Sequence, residues 1–240
     1  MNFDEIATCV APLIAGAAPQ DARWLGRLFR SPATFEAFRS LENELFIERA
    51  NPASNSLLIT SATRAEGRTT TALLLAVLSC AFDRARKVLL VDADTDTGRL
   101  TSMLGGGAGS PGLSELFETG ANSAECVSQT ALPNLGFTPV ARVFRSGIRF
   151  SPIAFERYIQ ELQPRYDLIV VDSPSAGANK SILSLASVLG NAVIVVKYGG
   201  PTREQVASLR EDLVRVRARV LGCILNQREY VVPRLFYGSR

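Results

Sequence analysis

A chain of 240 residues with 47% hydrophobic side chains can bury a substantial core, and its length fits one domain, or one domain with an appendage. A formal charge of +3 is too small to point to nucleic acid, and the absence of histidine excludes His-dependent triads, His metal sites and imidazole acid–base chemistry. The four cysteines, Cys9, Cys80, Cys126 and Cys223, lack metal-ligand spacing, which points to a reducing compartment. The apolar stretch from Ile6 to Ala18 follows Asp4 and Glu5 rather than basic residues and is too short to span a bilayer, so a soluble, cytoplasmic chain is expected.

Residues 1–30 are rich in Ala, Pro and Gly with weak periodicity and read as a mobile arm carrying one short helix around Trp24 to Phe29. Ser31-Pro32 opens a cleaner helix. Phe35, Phe38, Leu41, Leu45 and Phe46 share one face, Glu36, Arg39, Glu42 and Glu48 populate others, and Asn51-Pro52 ends it. Beyond it the pattern predicts strand 57–61, helix 68–82, strand 87–92, short helix 112–118, strand 135–140, helix 152–163, strand 168–172, helix 181–189, strand 192–198, helix 202–217 and strand 219–225. Such alternation means a three-layer, doubly wound α/β fold with a mostly parallel sheet and helices on both faces. Gly105–Gly109 and Ala141–Ser151 read as surface loops, and residues 227–240 as a tail. The last forty residues carry eight Arg against four acidic side chains, with Arg215, Arg217 and Arg219 alternating at a helix end. A solvated face accounts for them, with an acidic or membrane-surface partner as the alternative.

The segment from Leu57 to Thr71 reads as a strand, a phosphate-type loop and a helix start, with Gly67 and Thr69 in place and Arg68 where such loops carry lysine. Taken alone it is equally an ordinary turn capped by Thr69 or Thr70. Two further apolar strands favour the nucleotide reading. Val88 to Val91 runs into Asp92 and Asp94, and Leu168 to Val171 runs into Asp172. Open parallel sheets bind ligands beyond their strands' carboxyl ends, where these carboxylates and the loop would meet in an ATP and Mg²⁺ site.

The segments Thr60–Thr70, Val88–Asp94, Tyr166–Pro174 and Leu221–Asn226 together resemble the bacterial tyrosine autokinases of capsule and exopolysaccharide synthesis, which are deviant P-loop ATPases alongside MinD and ParA. The resemblance covers residues 34 to 226. It implies a Walker A loop, in which Ala65, Glu66, Gly67, Arg68, Thr69 and Thr70 hold the phosphates and Thr69 ligates Mg²⁺. It also makes Asp92 and Asp94 the Walker A′ pair, with Asp92 orienting the attacking hydroxyl, and Asp172 the Walker B carboxylate. Asp92 would stand beside Thr69 and Asp172 at the metal, Arg99 would face phosphate, and Asn226 would read adenine. Glu36 and Arg39 match the family's E-x-x-R-x-x-R oligomerisation motif, implying a homo-oligomer through helix 35–49.

Several positions depart from that pattern. The motif's last position is Glu42, a charge reversal in the implied subunit contact. Thr95-Asp96-Thr97-Gly98 replaces a basic loop, Ala65 replaces a glycine, and the tyrosine-rich tail is reduced to Tyr230 and Tyr237. Arg68 keeps the lysine's charge but not its compact shape, and it stands with Asp92 and Asp94 as a catalytic candidate. Lys180, eight residues beyond Asp172, could also face a nucleotide, although a solvated helix start explains it better. The resemblance further implies a membrane polysaccharide co-polymerase as partner and a place peripheral to the inner membrane. A non-catalytic scaffold is the alternative. A MinD- or ParA-type positioning ATPase fits less well, since Thr63 stands where those proteins carry a signature lysine.

Overall fold

The computed structural model describes residues 23, 26, 27, 29, 31–48, 55–104, 111–141 and 150–226. Its helices are α1 (Pro32–Glu48), α2 (Arg68–Phe82), α3 (Arg99–Met103), α4 (Leu113–Thr119), α5 (Pro152–Leu162), α6 (Ser181–Leu189) and α7 (Arg203–Arg215). The strands are β1 (Ser56–Thr60), β2 (Val88–Asp92), β3 (Ser128–Gln129), β4 (Leu135–Thr138), β5 (Leu168–Asp172), β6 (Asn191–Lys197) and β7 (Arg219–Asn226). They form one seven-stranded sheet in the order β3-β4-β2-β5-β1-β6-β7, parallel except for the β3–β4 pair.

The strands that read as continuous apolar runs are buried on both faces, and alternate side chains feed two separate cores. Leu57, Ile59, Val88, Leu90, Leu168 and Val170 pack against α2 and α3, with Phe35, Phe38 and Leu41 of α1 closing that layer from outside. Helix α2 is apolar on nearly every side because it lies between the sheet and α1. The Phe35 ring meets Phe82 edge-to-face at 5.1 Å. On the other face, Leu58, Leu89, Val91, Ile169 and Val171 pack against α4, α5, α6 and α7. Helix starts carry the expected chemistry: Ser151 caps α5 ahead of Pro152, and Thr202 and Gln205 form a capping box on α7.

The strand order places β5 between β1 and β2, with Ile59 and Asp92 each in register with Asp172. The chain leaves β1 toward one side of the sheet and later returns toward β6 on the other, so the switch point falls at the end of β1. Elsewhere the structure adds to the sequence reading or amends it. Helix α3 and the two-residue antiparallel edge β3 were not anticipated. Arg215, Arg217 and Arg219 do not share a helix: α7 stops at Arg215, Arg217 turns with φ 63°, and Arg219 opens β7. Phe29, at the end of the expected arm, is buried in the α2-side core. Most of the arm and of the two loops, and all of the tail with Tyr230 and Tyr237, lie outside the described residues.

Candidate nucleotide site

The loop between β1 and α2 takes two left-handed residues on either side of Glu66: Ala65 at φ 60° and Gly67 at φ 95°. Gly67 holds a backbone conformation that strains any L-residue, and a Cβ there would lie 2.0 Å from Asn226 Nδ2, so that amide would have to move aside. Ala65 adopts a conformation that L-residues enter at a cost of roughly 1–2 kcal/mol, so the loop shape persists without the glycine. Glu66 fastens it. One Glu66 oxygen accepts from the Thr63 N–H and hydroxyl, and the other accepts from the Lys197 N–H at 3.1 Å. Asn226, at the end of β7, donates to the Glu66 carbonyl at 2.9 Å. The loop after β5 is tied on as well, through Ala176 N–H to Ser61 O and Gly177 N–H to Ala62 O.

Arg68 does not point outward as a phosphate-seeking lysine would. Its guanidinium is buried and donates to the Ser173 carbonyl at 2.8 Å, the Ser61 hydroxyl at 2.8 Å and the Thr63 carbonyl at 3.2 Å. It also pairs with Asp94 at 3.4 Å. The planar fork thus stitches the phosphate loop to the loops after β2 and β5, a task that a single ammonium cannot perform.

The three carboxylates of the site have distinct surroundings. Asp92 is fully buried: one oxygen accepts from the Thr101 N–H and hydroxyl at 2.7 Å each, the other from the Asp94 N–H at 3.2 Å. Burial pushes its carboxyl up to about 6, against the lowering effect of those bonds. Asp94 accepts from the N–H groups of Asp96 and Thr97, from the Thr97 hydroxyl and from Arg68. Asp172 is also fully buried, yet neither of its oxygens has a partner within hydrogen-bonding geometry. Burial first, and the Asp92 charge second, hold its carboxyl well above the usual range, while the nearby Thr69 hydroxyl and Arg68 favour the charged form.

A cleft of about 320 Å³ opens over this arrangement, lined by Arg64, Ala65, Gly67, Arg68, Thr69, Asp94, Thr97 and Arg99. Of the residues singled out from sequence, Ala65, Gly67, Arg68, Thr69, Asp94 and Arg99 therefore meet at one place. Glu66 and Asn226 serve there as internal ties, and Thr70 opens α2 just behind. Asp92 faces Thr101 rather than the cleft, whereas Asp94 lies on the cleft wall. Lys180 is exposed at the start of α6 and outside the cleft lining. Arg64 and Thr97 were missed. Thr97 follows two carboxylates in a turn-forming run, which is the signal that an Asx-type loop would have given.

Helix α1 presents Glu36 and Arg39 to the exterior, whereas Glu42 is buried and ion-paired with Arg86 at the end of the α2–β2 turn. The expectation that Glu42 stands in a subunit contact as a reversed charge is thereby corrected, since its partner is in its own chain. Burial raises the Glu42 carboxyl above its ordinary value, opposed by the Arg86 charge.

Sheet order, switch-point cleft and left-handed phosphate loop define a P-loop NTPase fold of the deviant Walker A type. The comparisons agree. The chain superposes on the kinase domain of the Escherichia coli tyrosine kinase ETK with a TM-score of 0.71 at 22% identity, over 83% of this chain and 79% of that one. It superposes on the septum site-determining protein MinD from Pyrococcus horikoshii, complexed with Mg-ADP, with a TM-score of 0.58 at 23% identity, over 74% and 73%. In sequence it is 27% identical over 215 residues to the tyrosine-protein kinase CpsD of Streptococcus agalactiae, covering 89% of this chain and 92% of CpsD. No protein-family model matches. Its relatives are bacterial tyrosine-protein kinases.

Proposed function

We propose that the protein binds ATP with Mg²⁺ in the cleft beyond β1, β2 and β5 and acts as a tyrosine-kinase-like regulator of exopolysaccharide or capsule biosynthesis or export. The observation that carries this reading is Asp172, whose two buried oxygens have no partner. A bare buried carboxylate is expensive, and a hydrated divalent cation beside Thr69 is the group that would satisfy it. The residues present fit such a group: Thr69 lines the cleft, and Gly67 holds the phosphate loop in its left-handed turn at φ 95°.

In this reading the N–H groups at the start of α2 hold the β-phosphate, Thr69 ligates Mg²⁺ and Asp172 orients its water shell. Mg²⁺, when bound, neutralises charge on the outer phosphate oxygens. Arg99 and Arg64 on the rim add positive charge, and Asp94, the carboxylate on the wall, is placed to orient an incoming tyrosine hydroxyl. Asp92 holds the loop in shape through Thr101.

The names of the relatives support the kinase class, and residues 31–226 would be the functional domain. A membrane polysaccharide co-polymerase is the proposed partner, in keeping with the relatives' class; no helix among the described residues is long and apolar enough to cross a membrane. Glu36 and Arg39 would supply a homo-oligomeric contact. One observation favours the second reading, a non-catalytic scaffold: Arg68 spends its donors on Ser61, Thr63, Ser173 and Asp94 rather than on the cleft. Calorimetry with ATP, with and without Mg²⁺, followed by a phosphotyrosine assay, separates the readings. Mg²⁺-dependent binding with transfer supports the kinase, binding without transfer supports the scaffold, and no binding at all refutes both as stated.

A further inference from the structure

A second cavity, of about 490 Å³, opens at the amino ends of β2, β4 and β5, the sheet edge opposite the nucleotide cleft. Three cationic side chains line it: Arg84 from the turn after α2, Lys87 at the start of β2 and Arg165 from the short 3₁₀ turn before β5. Among the described residues no acidic side chain lines it. The nearest acids in sequence lie outside its lining: Asp83 pairs with Arg86 and accepts from the Ala85 N–H, and Asp167 accepts from the Lys87 N–H.

The walls are held by specific bonds. Asn134 donates to the carbonyls of Cys80 and Arg86 at 3.1 and 2.9 Å, which pins the turn that carries Arg84. Gln129 donates to the carbonyls of Leu132 and Leu135. Gly136 interrupts a buried strand, and a Cβ there would lie 2.9 Å from the Tyr166 hydroxyl, so its absence is what admits that side chain. An adjoining cavity of about 290 Å³ shares Arg84, Pro133 and Asn134 and adds the apolar surface of Ala81 and Leu132.

A cationic chamber opening onto an apolar one matches a ligand that is anionic at one end and aromatic at the other. We propose that this paired cavity binds an aryl phosphate, with the phosphate against Arg84, Lys87 and Arg165 and the ring over Ala81, Leu132 and Pro133. Guanidinium forks suit phosphate oxygens, and convergence of positive charge from separate elements favours a dianion over a single carboxylate. A phosphotyrosyl side chain is the protein-borne form of this ligand, and in that form alone the inference rests on the proposed function.

The test titrates the full chain with phenyl phosphate and, separately, inorganic phosphate, by calorimetry and by amide chemical-shift mapping without ATP. Saturable binding of phenyl phosphate at least tenfold tighter than phosphate is expected, with shifts at the side-chain amides of Gln129 and Asn134. Lys87→Gln combined with Arg165→Gln should weaken it tenfold or more. Both residues are exposed, and should the double variant fail to fold, Arg165→Gln alone carries the test. Equal affinity for the two probes, an acidic non-phosphorylated peptide that binds more tightly, no saturable binding, or shifts centred on Gly67 to Thr69 would each overturn the proposal. Failure of ATP binding or transfer would leave it standing, because the probes require neither.

Discussion

Replacing Asp172 by Asn should make the nucleotide-free protein more stable while removing its response to Mg²⁺. Both carboxylate oxygens are buried without a partner in full hydrogen-bonding geometry, and only the Thr69 hydroxyl approaches, so the substitution removes a charge at little cost in hydrogen bonding. A buried group left unsatisfied costs about 1–3 kcal/mol, and more when charged, so a gain of about 2 kcal/mol is a fair expectation after the unsatisfied amide is counted. For a domain of this size that corresponds to a rise in Tm of roughly 4–8 °C. The sign with pH follows from the raised carboxyl. Between the unfolded value of 3.8 and the higher folded value, the native state binds more protons than the unfolded one, so Asp172 lowers stability as pH rises through that window. The advantage of the Asn variant should therefore be smallest near pH 4 and grow as pH rises through that window. Thermal melts of both proteins across pH 4–8, with and without Mg·ATP, measure this. A variant less stable than the natural protein at pH 8 would show that Asp172 is satisfied internally, and the argument for a cation there would fail.

Other changes probe other parts of the site. Arg68→Lys should lower the Tm of the free protein, because an ammonium cannot bridge Ser61, Thr63, Ser173 and Asp94, yet it should tighten ATP binding by roughly tenfold to a hundredfold. Calorimetry showing weaker Mg·ATP binding by the Lys variant would mean that the site is built around arginine. Ala65→Gly should be neutral or stabilise by about 0.5 kcal/mol in chemical denaturation, where Gly for Ala at an ordinary position loses up to about 1 kcal/mol, because Ala65 already sits at φ 60°. Glu42→Arg, which restores the autokinase motif, should cost about 3 kcal/mol in the same assay by setting two guanidinium groups together in place of a buried pair. As pH falls from 8 through about 6, protonation of Asp92 should add stability, and this part of the pH profile should be absent in Asp92→Asn.

The parallel sheet was legible because each strand buried on both faces reads as an unbroken apolar run, as Val88–Asp92 and Leu168–Asp172 do. The phosphate loop was legible from Gly67 and Thr69, which sit where a helix start and an open backbone are needed. What escaped depends on long-range partners. The sequence shows that position 68 is cationic, but the Ser173 carbonyl that turns its guanidinium inward lies 105 residues away. Glu42 has an outward position in an isolated amphipathic helix, and only the arrival of Arg86, 44 residues on, explains its burial. Helix α3 is too short for its periodicity to register, and β3 pairs through only two residues.

The two departures at the site bear on function in opposite directions. Arg68 stabilises the closed, nucleotide-free arrangement: it joins three loops with its own donors, and a ligand that recruits it must first break those bonds. Asp172 does the reverse. Its buried oxygens meet no group in full hydrogen-bonding geometry and burial disfavours its charged form, so a neutral residue of its size would hold the sheet better. A protein used only as a rigid scaffold has a physical reason to carry the first feature and none to carry the second. Local violations of packing and polar satisfaction concentrate where a ligand is to be met. The pair thus supports the proposed reading of a site that binds cation and nucleotide with weakened transfer, in which Arg68 would set the threshold that a nucleotide must overcome. If Arg68→Lys and Asp172→Asn shift Mg·ATP affinity independently, so that the double variant shows the sum of the two effects in free energy, this coupling does not exist. A Lys gain that vanishes in the Asn background is the expected result.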